Sequence, residues 1–283
     1  MEELESHPEL KYMLVLQEGA AMGMADAHAR ATGRPTFVNL HIETGLANAI
    51  SLLHNAKEGS TPLVLSSVNK DIRELAQGRT DVAEIPKIFT KWSAEVTHPE
   101  QVPAAMRRAF NEARTPPTGP TFVGFSANAL DHEAAVDIVA SPNGYYRLAP
   151  DTRAIEDAAR ILATADRPTM VIGDRVAQSG ASDEAVRVAE LLGARVYGSI
   201  FSEMSFPMSH PQFDSVVRLG FQNIKDQLSK GDVVLVVGKL SNYAYLFSDP
   251  IQLYFGPNTT LLHIDADPSE VGKSQPTDVG IIA

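Results

Sequence analysis

"TMVIGDRVAQSGASDEAVRVAELLGARVYG", residues 169–198, passes from an apolar run through a glycine-containing turn into a helical stretch, then into a second apolar run. The runs at its two ends are continuous and do not alternate with polar residues. A strand that is apolar on both sides is covered on both faces, which is the arrangement of parallel sheets flanked by helices. The same kind of run recurs at "YMLVL" (12–16), "TFVNL" (36–40), "PLVLSS" (62–67), "TFVGF" (121–125), "VVLVV" (233–237) and "TLLHI" (260–264). Helices fit between them. In "TGLANAISLLHNAKEG", Leu46, Ile50 and Leu53 share one face and Gly59 stands just past the C-terminus. Residues 99–114 and 151–166 have the same character, and Asp151 is placed to cap the second of these helices. The class read from this pattern is α/β, with two domains of parallel sheet flanked by helices, the second Rossmann-like. A strand, turn, helix and strand are common to any α/β protein, so the unit at 169–198 names no ligand by itself.

Periodicity lapses from about Ser126 onward, and Pro142, Asn143, Gly144 and Pro150 enter. This predicts a first domain over 1–127, a linker over 128–150 and a second domain over 151–283. The 283 residues are enough for two cores of ordinary size. A net charge of -11 without a basic cluster argues against nucleic-acid or anionic-membrane partners. The absence of cysteine excludes disulfides, thiolate catalysis and thiolate metal sites together. No apolar run approaches the ~20 residues that span a bilayer. "MEELESHPEL" has none of the basic and apolar regions of a secretory signal, so a cytoplasmic location is expected. The sequence also contains no GxGxxG, Walker loop, HExxH, GxSxG or EF-hand loop.

Three stretches, taken in order, carry a resemblance: "LQEGAAMGMADAHARATGRP" (16–35), "VNLHIETGLANAISLLHNAKEGSTPLVLSS" (38–67) and "FTKWSAEVTHPEQVPAAMRRAFNEARTPPTGPTFV" (89–123). They resemble the pyrimidine-binding domain of thiamine-diphosphate enzymes of the benzoylformate decarboxylase and acetolactate synthase type. "RPTMVIGDRVAQSGASDEAVRVAELLGARVYG" and "GDVVLVVGKLSN…TLLHIDADPSEVG" resemble the central domain of that family, so the likeness covers essentially the whole chain. It implies that Glu18 hydrogen-bonds the aminopyrimidine of thiamine diphosphate and favours the imino form that generates the nucleophilic ylid. It implies further that Glu18, Gly19, Gly23, Gly45 and Asn48 lie at the cofactor, and that Glu18 and His41 act in catalysis on a 2-oxo acid. Taken alone, Glu18 is an acidic residue complementing the positive end of a helix. His41, leaving a strand, either orients a substrate carboxylate, shuttles a proton or bonds backbone as a loop histidine. Ile42 and Glu43 depart from the small residues that the resemblance leads one to expect at that turn.

His28, His54 and Trp92 read as packing or solvated residues. His263, Asp265 and Asp267 lie at a strand end of the central domain, where some relatives hold FAD. The few glycines of "GDRVAQSG" argue against a flavin here. The family holds its diphosphate and magnesium in a third domain, through a Gly-Asp-Gly motif followed by paired asparagines. "GDR" at 173 and "GDV" at 231 differ in the third residue, so no metal ligand is expected within this sequence. The family also begins with a further strand, turn and helix before the part matched by "MEELESHPELKYMLVLQ". A sheet without that strand is expected to expose an edge or an apolar face.

The expectation is therefore a portion of a 2-oxo acid decarboxylase or carboligase, completed by a homo-oligomer or by a complementary diphosphate-binding subunit. A non-catalytic binding or regulatory subunit and an FAD-binding oxidoreductase-like module are the alternatives.

Overall fold

The computed structural model describes residues 4, 6–139, 148–199, 205–217, 221–240, 254–256 and 258–283. The chain divides into two units, Met1–Gly144 and Tyr145–Ala283.

In the first unit, β1 (Thr36–Leu40), β2 (Leu63–Asn69), β3 (Trp92–Val96) and β4 (Thr121–Ser126) form a sheet of order β1-β2-β4-β3. Every pairing in it is parallel. Strand β2 shows why the apolar run that opens it, Leu63 to Leu65, does not alternate. Leu63 and Leu65 enter the core with Met22, Leu46, Leu53 and Phe122, while Val64 faces the opposite core with Ala109, Ala113 and Val123. Helices α1 (Glu18–Thr32) and α2 (Ile42–Glu58) cover the first face, and α3 (Val102–Arg114) covers the second. Helix α1 begins where the Gln17 side chain accepts a hydrogen bond from the Ala20 N–H at 2.8 Å, and it ends at Gly33 with φ 65°. Helix α2 ends at Gly59, as its sequence predicts.

Residues 12–16 form no strand, contrary to the sequence expectation. Tyr12, Met13, Leu14 and Leu16 are exposed, Leu16 to 97%, and residues 11–16 make no hydrogen bond. The reason is physical: a strand needs a neighbour, and among the described residues β1 pairs on one side only, with β2. A short helix, α4 (Ala127–Asp131), runs into the start of the expected linker, and residues 140–147 of that linker lie outside the described residues.

The second unit contains α5 (Thr152–Ala163), β5 (Pro168–Ile172), α6 (Asp174–Gln178), α7 (Ser182–Leu192) and β6 (Arg195–Gly198). It continues with β7 (Phe213–Val216), α8 (Phe221–Leu228), β8 (Val233–Val237), β9 (Thr260–Asp265) and β10 (Val279–Ile282). The parallel sheet has the order β10-β9-β8-β5-β6-β7. Read from β7, this is third, second, first, fourth, fifth and sixth in chain order, the doubly wound Rossmann order with its reversal between β5 and β8. Met170 and Ile172 face the core beneath α5 and α7, and Val171 faces the one with Ile224 and Leu228 of α8. Asp151 caps α5 as expected, its carboxylate accepting from the Arg153 N–H at 2.7 Å.

Asp232 fastens the N-terminal end of this sheet. Its carboxylate accepts N–H bonds from Asp166 at 2.8 Å, Arg167 at 2.9 Å and Val233 at 2.8 Å. Burial pushes this carboxyl up, but those backbone donors outweigh it and hold the group below its ordinary value of 3.8. A lowered folded value means that the stabilisation is complete above the unfolded value and fades as pH falls through the folded one. Asp232→Ala is expected to cost about 1–2 kcal/mol in urea unfolding at pH 7. The gap between variant and parent should shrink at a second pH, below the ordinary carboxyl value of 3.8. A gap that stays constant between the two pH values would contradict this account.

Candidate active site

Glu18 is the first residue of α1, and its side chain reaches the first turns of α2. Its Oε2 accepts a hydrogen bond from Asn48 Nδ2 at 3.2 Å. A Cβ on Gly45 would lie 3.1 Å from Glu18 Oε1 and 3.5 Å from Cγ, so the absent side chain at 45 is what lets the carboxylate approach α2. The carboxylate thus stands near two helix N-termini. His41, the N-cap residue of α2, makes no side-chain cap there, so a negative charge is favoured close by. Glu18 is half-buried, Gly45 is buried and Asn48 is exposed. One carboxylate oxygen is engaged by an amide donor. The geometry leaves acceptor capacity on the group for a protonated ring nitrogen or another N–H of a ligand.

The other sequence-derived residues divide. His41 follows β1 directly with an exposed side chain, at the C-terminal edge of the sheet where ligands of α/β proteins bind. Ile42 has φ 39°, a left-handed backbone that costs a β-branched residue energy, and Glu43 lies in the first turn of α2. Gly19 accommodates the capping amide of Gln17, since a Cβ there would come 2.9 Å from Gln17 Oε1. A Cβ on Gly23 would meet Leu52 at 3.7 Å, an ordinary contact, so the packing of α1 on α2 does not itself require glycine there. The structure therefore brings Glu18, Gly45 and Asn48 together, and it gives Gly19 a local structural duty. His28 bonds Thr36, His54 packs edge-on against Phe89, and Trp92 lies beneath the Arg108 guanidinium.

A buried polar network at the same edge was not anticipated. Asn69, the last residue of β2, donates to Glu95 Oε1 at 2.9 Å and to the Thr80 carbonyl at 2.7 Å, and Arg79 pairs with Glu95. Burial raises the Glu95 carboxyl above its ordinary value, against the opposing pull of Asn69 and Arg79. The available signal was an acidic residue inside the strand-like run "KWSAEV".

In the second unit a buried ion pair lies beside the reversal point between β5 and β8. Arg175 Nε donates to Asp265 Oδ1 at 3.1 Å, with side-chain exposures of 9% and 0%. His263 Nε2 donates to the Gly238 carbonyl at 3.1 Å, and burial holds its imidazole below the ordinary value. Among the described residues no group of His, Asp and Glu is placed to hold a metal ion, and no helix is long and apolar enough to cross a membrane.

The chain is similar to known proteins along nearly its whole length. Residues 1–85 match the model of the thiamine pyrophosphate enzyme N-terminal TPP binding domain, and residues 155–283 match that of the thiamine pyrophosphate enzyme central domain. The chain is 31% identical to benzoylformate decarboxylase of Pseudomonas aeruginosa over 99% of its own length and 54% of that protein. It is 28% identical to a probable acetolactate synthase large subunit of Methanocaldococcus jannaschii, over 97% of this chain and 48% of that one. The crystal structure of benzoylformate decarboxylase from Polynucleobacter necessarius superposes with a TM-score of 0.90 at 26% identity, covering 99% of this chain and 53% of that chain. The chain spans about half the length of the curated relatives that it matches.

Proposed function

We propose, from the premise that this chain belongs to the thiamine pyrophosphate enzyme family, that it is the pyrimidine-binding and central part of a 2-oxo acid decarboxylase or carboligase. The diphosphate and magnesium would be held by a domain outside these residues, carried by a second copy or by a complementary subunit. The observation that carries this reading is the approach of the Glu18 carboxylate to Gly45 and Asn48.

The residues fit the group. Gly45 is a cradle that a Cβ would fill, and a half-buried carboxylate faces it, held by one amide donor. When bound, thiamine diphosphate supplies a carbon nucleophile and an electron sink for the bond beside the substrate carbonyl. Glu18 would hold a proton against a nitrogen of the pyrimidine, and Asn48 would fix the direction of its carboxylate. His41, exposed at the end of β1, would orient the carboxylate of a 2-oxo acid or move a proton at its carbonyl oxygen. In the second unit the Arg175–Asp265 pair occupies the crevice in which a dinucleotide would lie, which supports a central domain without FAD.

A non-catalytic subunit is the second reading, favoured by Glu43. Its carboxylate lies two residues from His41 and would repel an anionic substrate that approached it. The test is reconstitution of the chain with a diphosphate-binding polypeptide, thiamine diphosphate and magnesium, followed by assay of a panel of 2-oxo acids. Turnover that needs both polypeptides is expected. A folded complex without turnover would sink the enzymatic reading and leave the second.

A further inference from the structure

The second unit holds a polar recess that none of the chemistry above uses. It has a volume of about 150 Å³ and is lined by Tyr197 of β6, Asp214 of β7, and Asn223, Asp226, Gln227 and Lys230 of α8 and the turn after it. Tyr197 is fully buried, yet its hydroxyl has no hydrogen-bond partner. A buried phenol usually finds a partner, so an unmet one beside a recess marks a place where a ligand atom would be welcome. The Arg195 guanidinium lies beside this hydroxyl and ion-pairs with Asp214 at 3.5 Å, without meeting the hydroxyl in hydrogen-bond geometry. Lys230 is exposed, and among the described residues its ammonium meets no carboxylate. Asp214 also accepts from Ser215 Oγ at 3.0 Å, and a carboxylate with two oxygens keeps room for further donors. The recess thus combines an unmet ammonium and hydroxyl with two carboxylates.

We propose that this recess binds a small α-amino acid as its zwitterion, the ligand carboxylate meeting Lys230 and the Tyr197 hydroxyl and the ligand ammonium meeting Asp214 and Asp226. The signs of charge select this class. A plain anion would satisfy Lys230 but face both carboxylates, and a plain amine would leave Lys230 and Tyr197 unmet. An apolar molecule would find one aromatic ring among amides and charges. The volume holds roughly five waters, which suits an amino acid with a short side chain, and the amides of Asn223 and Gln227 favour a polar one such as serine. The Tyr197 hydroxyl is closed to water, but Asn223, Asp226 and Lys230 are exposed, and turning one of them aside on binding brings the hydroxyl to the ligand. A ligand so held would tie α8 to the edge of the sheet, adding to the bonds of Gln227 Nε2 with Ser215 Oγ at 3.1 Å and the Val216 carbonyl at 3.4 Å. Binding needs neither thiamine diphosphate nor a second polypeptide, so it stands or falls independently of the reaction proposed above.

Isothermal titration calorimetry of the intact chain at neutral pH with L-serine, hydroxypropionate and ethanolamine tests this, since the second probe lacks the ammonium and the third the carboxylate. L-Serine is expected to bind at least about 10-fold more tightly than either of the others. Tyr197→Phe should weaken L-serine by about 5–10-fold, the worth of one hydrogen bond, and Lys230→Gln by about 10-fold or more. Tyr197→Phe should also melt no lower than the parent, because the hydroxyl it removes has no partner in the folded chain. Lys230→Gln changes an exposed side chain and keeps the test decisive should Tyr197→Phe disturb the core. Any of three results overturns the proposal: no binding of L-serine up to about 10 mM, hydroxypropionate or ethanolamine binding as tightly as L-serine, or L-serine binding indifferent to Lys230→Gln.

Discussion

Replacing Glu18 by glutamine is expected to slow exchange of the C2 proton of bound thiamine diphosphate by about 10²–10⁴-fold in the reconstituted enzyme, the usual worth of one positioned acid–base group. Glutamine keeps the length of the side chain and a carbonyl oxygen that can accept from Asn48, so the approach to Gly45 persists. It cannot hold and release a proton. Turnover of 2-oxo acids should fall in parallel, while thermal unfolding stays close to that of the parent, because one half-exposed hydrogen bond contributes only about 0.5–1.5 kcal/mol. Asn48→Ala should give a smaller loss than Glu18→Gln, since it removes the orienting donor and leaves the carboxylate in place. Proton exchange at the parental rate in Glu18→Gln, with cofactor bound, would mean that Glu18 only complements the start of α1. Measuring exchange separately from turnover keeps a failure of substrate binding from being mistaken for a failure of proton transfer.

The legibility of this chain follows from where its strands lie in each sheet. β2, β4, β5 and β8 are flanked on both sides by other strands and buried on both faces, and each carries an apolar run that does not alternate with charged residues, its few buried hydroxyl and amide side chains lying at the strand ends or, as with Ser66 and Ser67, inside β2. β1, β6 and β9 are apolar enough to be read as well. The strands that escape notice are at or near edges. β3 carries Ser93 and Glu95, the latter tolerated because Asn69 and Arg79 meet it. β7, "FDSV", alternates between partly buried and exposed positions, and β10, "VGII", contains a glycine whose Cβ would strike Val271. Residues 12–16 err in the opposite direction, with strand composition but no strand. Composition reports what a segment can pair with, and only the presence of a neighbour makes it a strand.

For the site, Glu18, Gly45 and Asn48 were identified through resemblance to a family, since an acidic residue at a helix start is unremarkable alone. The structure adds what spacing could not: α1 and α2 pack so that residues 18, 45 and 48 meet. The Asn69–Glu95–Arg79 network could not be read from the chain because its members come from three separate segments.

Gly173→Ala is expected to give the largest loss of stability of any single methyl addition considered. Gly173 follows β5 at the reversal point of the second sheet, and a Cβ there would lie 2.8 Å from the Lys239 carbonyl oxygen and 3.0 Å from the Lys239 nitrogen. Both are backbone atoms and cannot rotate away. They are also tied down: the Gly173 N–H bonds the Val237 carbonyl at 2.8 Å, the Gly238 N–H bonds the Ile264 carbonyl at 2.8 Å, and Ser199 Oγ donates to the Lys239 carbonyl at 3.1 Å. The methyl must separate β5 from β8 just where Arg175 and His263 depend on the alignment of those ends. The expected cost is about 2–4 kcal/mol, the upper range for overpacking against groups that cannot yield. In a domain of this size that lowers the melting temperature by on the order of 5–10 °C. Gly256→Ala is the control, because nothing lies within 4 Å of its Cβ position, and it should stay within about 0.5 kcal/mol of the parent. If Gly173→Ala melts with the parent, the ends of β5 and β8 are not in close contact. The crevice between them would then be open to a ligand, and the argument that Arg175 and Asp265 close it against a dinucleotide would fail with it.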